Sequence, residues 1–514
     1  MTTYNLFADS PQYETATFPA PRPFQEVAHE QLRQGARDGH RCQMLMAPTG
    51  SGKCLGRDTP VLMADGSIKS VQDVAIGDKL MGPDGMPRNV RSTSHGREML
   101  YRVIPKKGAS YVVNASHILC LRLTPGSDGI TLADGSRIGK NEDIVNVNVE
   151  TFLHSNKTAQ HCLKGWRADA IALFDRDHRE DAQMRPMPPY LLGAWLGDGS
   201  MGRAAISKPE CRMVEEWVSY GEWYGMECRR ITHKEGDCPT WLLTNGHDGL
   251  SYNTVQRQLE EIGVAQRKHI PAAYKFGPIN VRRELLAGLI DSDGHVSSGG
   301  CDWISCSEEL AVDFAFVCRS LGLAAYISPC TKGIKSSGFR GEYWRVSVSG
   351  DLSTIPMRDK AAKERAQKKR HLVHGISIET VGVGDYYGFE IDGDHLFLLG
   401  DFTVTHNTFL GLRAIHEALQ KGKSAIFVCD RRTLIEQTSA VADSYGLTAH
   451  SVLMSDHWRY DKHSPFQIAS AQTLARRRWP DADLIVIDEA HVQMGVWVNH
   501  VKATRAHVIG LSAT

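Results

Sequence analysis

The stretch Met46–Cys54, MAPTGSGKC, holds all but one of the groups that grip a nucleotide's phosphates. Ala47, Gly50 and Gly52 give a small-residue loop whose backbone N–H groups can face phosphate oxygens, and Lys53 adds a cation. The next position calls for a hydroxyl to hold Mg²⁺. It carries Cys54 instead, and a thiol is a poor ligand for a hard cation. The hydroxyl stands 354 positions further on, where His406 and Asn407 precede Thr408. Joining Lys53 to Thr408 gives APTGSGKTFLGLRAIHEAL, a complete phosphate loop feeding a helix. The removed block, 54–407, starts with a thiol nucleophile and ends in His-Asn, the residue types that self-excision requires. Inside it, YLLGAWLGDGS (Tyr190–Ser200) and ELLAGLIDSDGHV (Glu284–Val296) are related segments. Each reads as an apolar helix with a small contact residue, Gly193 or Gly288, and ends in an acidic residue before Gly. Packed side by side, the two helices bring Asp198 and Asp293 together, a poor salt-bridge site but a suitable Mg²⁺ site for phosphodiester hydrolysis.

The elements that must position these groups show several textures along the 514 residues. Residues 1–53 contain a helical stretch (Phe24–Gly35) and an apolar strand, CQMLMAP. Residues 54–160 are short alternating segments broken by turn signals such as ADGS and GPDG, an all-β pattern. The region 185–355 mixes longer helical patterns with strands, an α+β texture, and RDKAAKERAQKKR (Arg358–Arg370) reads as a solvated helix or linker. Residues 371–407 return to β texture. From 408 to 514, helices alternate with buried strands (SAIFVCD, DLIVIDEAH, HVIGLSAT), the pattern of a parallel α/β sheet. Lys+Arg and Asp+Glu balance at 59 each, so any nucleic-acid surface must be local. No basic-then-apolar leader and no bilayer-length apolar run is present, which gives the expectation of a soluble, cytoplasmic chain. The twelve cysteines show no paired metal-ligand spacing, and most read as small buried hydrophobes.

With Cys54, VVNASHILCL (Val112–Leu121) and FTVTHN before Thr408, the block 54–407 resembles an intein, a Hint-type protein-splicing domain. The resemblance implies a flattened all-β horseshoe built from 54–160 and 371–407, with Cys54 and Asn407 brought close. It implies Cys54 as first nucleophile on the Lys53 carbonyl, His117 as the histidine that loosens that bond, and Thr408 as second nucleophile. Asn407 would cyclise with help from His406 and His395. Asn114 stands where the family usually has Thr, and Gly388 where it often has Asp; both substitutions bear on rate and coordination. The two related helices resemble the LAGLIDADG, or dodecapeptide, homing endonucleases. That implies an α+β domain over 185–355 acting on a double-stranded DNA homing site with Mg²⁺, and Lys268 in RKHIPAAY supporting cleavage. Arg229, Arg230, Lys332, Lys335 and Arg345 are candidates for phosphate contact.

The flanks, 1–53 joined to 408–514, resemble the first RecA-like domain of superfamily two DEAD/DEAH helicases. Gln25 in RPFQ would read adenine, while Ala47, Gly50, Gly52, Lys53 and Thr408 would hold ATP. Asp488 and Glu489 in VIDEAH would serve Mg²⁺ and water activation, and nucleic acid is the implied partner. The second RecA-like domain is not in this chain, so the spliced product is expected to bind nucleotide, hydrolyse it slowly and not unwind duplexes. The expected fold class is therefore multidomain: an α/β host split by an all-β splicing domain, which itself carries the α+β endonuclease. Two alternatives stay open at this point, a nucleotide-binding protein that keeps a folded insertion, and a splicing-dead relic.

Overall fold

The computed structural model describes residues 23–46, 54–115, 117–124, 129–133, 138, 144–173, 185–232, 234, 237–245, 253–297, 299–334, 339–361, 370–392, 396–406, 412–429, 435, 438–439, 442–443, 446–455, 457–488, 490 and 495–512. The two flanks of the block build a single sheet. Strand Cys42–Met46 pairs in parallel with His507–Ser512 (Cys42 opposite Val508, Met46 opposite Ser512). Inward from there the order runs Leu484–Ile487, Ala425–Cys429, Phe466–Ser470 and Ser451–Leu453. Alternate residues feed two cores. Phe427, Ile468, Val486 and Ile509 face one side, and Ile426, Val428, Ile485, Ile487 and Val508 the other. A sheet covered on both faces needs such continuous apolar runs, which is why these strands are legible as buried. Cys42–Met46 is one of the two edge strands, and Met44 is accordingly half exposed (52 %).

The second unit is an eight-stranded sheet drawn from both ends of the block. Its spine is two 19-residue strands, Pro87–Pro105 and Val373–Ile391, paired antiparallel from Ile376 opposite Pro105 to Ile391 opposite Val90. Leu55–Gly56 lies between Tyr111–Asn114 and the long strand Val373–Ile391. Two features depart from the sequence expectation. The first part of this unit is not all strand: Val149–His154 and Lys157–Cys162 are helices, N-capped by the side chains of Asn148 and Asn156. The sheet also continues past 160, because Leu163–Trp166 pairs with both Ile118–Leu123 and Val373–Ile391.

The third unit is α+β. Helix Pro189–Asp198 and helix Ile279–Asp293 pack against each other, each followed by an antiparallel sheet and a further helix. The sheets order as Ala205–Ser207, Thr240–Asn245, Met226–Ile231, and as His295–Ser297, Gly300–Ser305, Phe339–Ser349, Ala324–Ile334. Among the described residues no helix is long and apolar enough to cross a membrane.

Candidate functional site

At the start of the block, Cys54 is fully buried and its backbone is fixed from one side. The Cys54 N–H, the nitrogen of the Lys53–Cys54 peptide, donates to Asn114 Oδ1 at 3.0 Å, and the Asn114 N–H donates to the Cys54 carbonyl at 3.2 Å. Asn114 thus works, through its side-chain oxygen, as an acceptor for the Cys54 N–H. Its Nδ2 is buried with no partner among the described residues. The Asn114 carbonyl receives the His117 N–H at 3.1 Å, which closes the turn that carries the histidine.

The His117 ring reaches the other end of the block. Its Nε2 lies 2.7 Å from Thr405 Oγ1, and both residues are almost wholly buried. Thr405 sits on strand Val404–His406, which pairs with Leu396–Leu398 as a hairpin. One side chain therefore spans the two segments that Cys54 opens and Asn407 closes. Thr405 was not singled out in sequence, although it stands two residues before Asn407. The backbone of His406 is described, paired with Leu396; its side chain, together with His395, Asn407 and Thr408, lies outside the described residues. Gly388 sits mid-strand opposite Ser94.

A second cluster lies at the carboxyl ends of the two packed helices. Gly193 and Gly288 are forced by the packing: a Cβ on Gly193 would strike the Leu285 carbonyl, and one on Gly288 the Tyr190 carbonyl. Both helices stop at an Asp-Gly step with the glycine extended (φ −78° at Gly199, −76° at Gly294). These glycines supply no left-handed turn. A Cβ at Gly294 would crowd the Ile290 carbonyl at 2.7 Å, and one at Gly199 would strike that of Trp195. Asp293 keeps a solvent-exposed edge. Even so, desolvation by the protein beneath it, with Asp198 adding like-charge repulsion, raises its carboxyl to about 6.

Three lysines converge on the same place. Lys208 Nζ pairs with Asp198 at 2.7 Å and donates to the carbonyls of Asp291 (3.1 Å) and Ser292 (2.6 Å). Lys268 Nζ donates to the Gly197 carbonyl at 3.0 Å, and Lys360 Nζ to those of Ile290 (2.7 Å) and Ser292 (3.1 Å). These acceptors lie at the negative ends of two helix dipoles, the place where ammonium groups bind best, and the Ile290 carbonyl also accepts the Gly294 N–H at 2.9 Å. Desolvation lowers the pKa of both Lys268 and Lys360. Lys268 was expected here; Lys208 and Lys360 were not. In the stretch Arg358–Arg370, read as a solvated helix or linker, Lys360 shows that the start is anchored, while 362–369 lie outside the described residues. Fully buried Asp291 accepts the backbone N–H groups of Arg358 (2.6 Å) and Lys360 (2.9 Å) and the Tyr190 hydroxyl (3.0 Å), which nails the start of that stretch to the second helix. The Arg358 guanidinium lies 3.6 Å from the Tyr190 ring centroid and pairs with Glu216 and Glu284.

Of the candidate phosphate contacts, Arg229 and Arg230 lie exposed on Met226–Ile231, with Arg230 3.7 Å from Glu210. Lys332 is exposed on Ala324–Ile334, and Arg345 is half-buried on Phe339–Ser349; Lys335 is outside the described residues. In the flanking sheet, Asp488 directly follows strand Leu484–Ile487 and its N–H donates to the Val428 carbonyl at 3.0 Å. Gln25 belongs to helix Pro23–Arg37, with its side chain outside the described residues, as are Ala47, Gly50, Gly52, Lys53 and Glu489. A cavity of about 980 Å³ lined by Arg33, Glu417, Asp483 and His507 lies in the same unit. It flanks the amino-terminal ends of strands Leu484–Ile487 and His507–Ser512, away from Asp488. Among the described residues no three His, Cys, Asp or Glu side chains group as a metal cage.

Three family models match the chain. Hom_end-associated Hint covers residues 54–166, a LAGLIDADG-like domain covers 280–356, and the type III restriction enzyme res subunit covers 407–514. The replicative DNA helicase DnaB of Mycobacterium intracellulare is 29% identical over 415 residues, spanning 74% of this chain and 63% of its own length. The V-type proton ATPase catalytic subunit of Candida tropicalis is 22% identical over 471 residues, spanning 69% and 43%. The chain thus spans less than two thirds of the length of these curated relatives. Among solved structures, mesophilic variants of the homing endonuclease I-DmoI are similar at 13% identity and a TM-score of 0.23, over 33% of this chain and 90% of theirs. The chain combines a Hint region, a LAGLIDADG-like region and a helicase-type region.

Proposed function

We propose that residues 54–407 excise themselves and join Lys53 to Thr408. Cys54 Sγ attacks the Lys53 carbonyl carbon; the C–N bond to Cys54 breaks and its nitrogen takes a proton, leaving a thioester. The Thr408 hydroxyl attacks that thioester and expels the thiol, forming an ester. Asn407 Nδ2 closes on its own carbonyl carbon to a succinimide, which releases the Thr408 amine. That amine attacks the ester and leaves a peptide bond. The observation that carries this reading is the bridge through His117, joined to the Cys54 peptide through Asn114 and to the closing strand through Thr405. Asn114 Nδ2, buried without a partner among the described residues, is the donor this reading assigns to the Lys53 carbonyl as charge develops there.

Two comparisons support a removable block. The Hint match opens at Cys54, and the restriction-enzyme match opens at 407. The 160 flanking residues are under a third of the chain, so matches spanning 74% and 69% of it must run largely inside the block, in relatives whose names share no activity.

In the LAGLIDADG-like region we read a site-specific DNA endonuclease. Asp198 and Asp293 are hard oxygen donors at one point, and the Asp293 carboxyl is raised by desolvation and by the like charge of Asp198 despite the three nearby lysines, so the pair fits a divalent cation such as Mg²⁺. Such an ion, when bound, neutralises phosphodiester charge and activates water. Lys208 then yields Asp198 and stays on the helix-end carbonyls, while Lys268, with its lowered pKa, is placed to move a proton. The flanks read as an ATP-binding, DEAH-type helicase domain whose phosphate loop is whole only after splicing.

Intact mass after expression in a reducing cytosol tests the main reading, beside a Cys54→Ala, Asn407→Ala double variant. Two products of 354 and 160 residues from the wild-type chain alone are expected. One 56.9 kDa species in both samples overturns it.

A further inference from the structure

The endonuclease-like region is physically joined to the hairpin that ends the splicing block. The hairpin turn, Leu399–Thr403, contains Phe402, a fully buried residue in the left-handed region (φ 67°), where a non-glycine side chain is strained. Such a conformation persists only when its surroundings hold it, and here they come from elsewhere in the chain. The Phe402 ring meets Phe316 edge to face (5.3 Å between centroids, 70°), and Phe316 meets Phe276 the same way (5.4 Å, 80°). Phe316 lies on helix Glu308–Ser320, and Phe276 ends the short helix Ala272–Lys275. These three rings share one core with Leu398 and Val404 of the hairpin and with Leu62 and Trp166 of the β unit.

Polar contacts fix the same turn. Asp401 takes Arg167 at 2.8 Å, and Arg167 also reaches the Tyr326 hydroxyl at 3.4 Å on a strand of the endonuclease-like region. Fully buried Arg282, on the second signature helix, donates to the Ile171 carbonyl at 2.7 Å and the Ser320 carbonyl at 2.9 Å, pinning the connecting segment to the helix that carries Phe316.

We propose that Phe316 is a positioning residue for the carboxyl-terminal splice junction: by seating Phe402 it sets the hairpin that carries Thr405 to His117 and leads into Asn407. This rests on the splicing reading above. The endonuclease-like region is then a brace for Asn407 cyclisation and not a dispensable passenger.

The test uses the full chain with Phe316→Ala and Phe402→Gly. Glycine keeps the left-handed backbone without strain but removes the ring. Two rates are followed by mass: thiol-induced cleavage at Cys54, which reads thioester formation, and cleavage after Asn407. Each variant is expected to slow the second at least ten-fold, while the first falls no further than in Thr405→Val, where only the His117 bond is lost. Phe316→Leu is expected to restore part of the rate, and the double variant to be no slower than either single one, since both remove one contact. Equal slowing of both rates, or additive effects in the double variant, overturns the proposal, as does a wild-type carboxyl-terminal rate in Phe402→Gly. A wild-type chain that does not splice instead refutes the parent reading.

Discussion

Replacing Gly288 by alanine tests whether the two signature helices set the acidic site by their separation. The added Cβ would collide with the Tyr190 carbonyl and lie 2.7 Å from Ala194 N and 3.0 Å from Tyr190 C, all backbone atoms of the opposite helix. Backbone cannot rotate away as a side chain can. Reaching an ordinary contact of about 3.5 Å to Ala194 N alone requires the helices to part by roughly 0.8 Å. Overpacking of this kind costs about 1–3 kcal/mol, which for a unit of this size lowers the melting temperature by about 3–10 °C. The parting also moves Asp198 from Asp293, so the Asp293 pKa, raised in part by that neighbour, must fall. Calorimetry and carboxyl NMR titration read both effects without relying on DNA cleavage. Gly495→Ala, where nothing among the described residues lies within 4 Å of the new Cβ, is the control. A Gly288→Ala chain with unchanged melting and an unchanged Asp293 titration would refute the reasoning.

Other consequences follow from the same contacts. Asp293, at about 6, binds a proton more readily folded than unfolded; the group therefore disfavours folding above pH 6, and this penalty is relieved as pH falls through 6. Metal affinity should change the opposite way, falling about tenfold per pH unit below 6, which isothermal titration with Mg²⁺ or Mn²⁺ checks; a flat profile between pH 5 and 7 contradicts it. Thr405→Val removes the partner of His117 Nε2 and is expected to slow thiol-induced cleavage at Cys54 about 3–10-fold, as loss of one buried hydrogen bond predicts, with Thr405→Ser close to wild type. Asn114→Leu should be more severe than Thr405→Val in that assay, because it strips the acceptor from the Cys54 N–H; equal rates would mean that Asn114 is only a spacer. Lys360→Met should lower the melting temperature of the endonuclease-like region, because it removes an ammonium from the Ile290 and Ser292 carbonyls at the negative end of the helix dipole.

What the sequence made legible, and what it did not, follows from how far each signal reaches along the chain. Gly193, Gly288 and the Asp-Gly ends were readable because helical spacing places them, and the strands of the flanking sheet because burial on both faces leaves unbroken apolar runs. Helices Val149–His154 and Lys157–Cys162 were hidden by their brevity, at six residues each, although Asn148 and Asn156 stood as cap signals three residues before the N–H groups they bind. Lys208 and Lys360 could not be found by pattern. Apart from Asp198, which pairs with Lys208, their partners are backbone carbonyls some seventy to eighty residues away, and no residue type marks a carbonyl. The anchoring of the charged run at its start, Arg358, was hidden for a related reason: its anchors, Asp291, Glu216 and Glu284, are supplied by the fold.

On the proposed splicing reading, the flanking sheet also bears on how the two ends of the block are brought together. Cys42–Met46 enters the sheet beside His507–Ser512, and helix Leu412–Gln420 packs its Leu412, Ile415 and Leu419 into the same core as Phe427 and Ile509. Lys53 therefore follows an element already seated in the flanking unit, and Thr408 precedes another. Each is tethered by a few residues to one folded body, which holds the two reacting ends at high effective concentration before any bond is made. On that reading the block needs only to align them, and the contacts proposed to do so run from Asn114 through His117 to Thr405. An insertion at the tip of a loop between two separately folding units would lack that tether, so weakening the flanking sheet should slow ligation more than cleavage. Ile509→Asp, which buries a charge in the flanking core, is expected to shift products from the ligated 160-residue chain toward free flanks. Unchanged ligation yield in that variant would place the alignment wholly within the block.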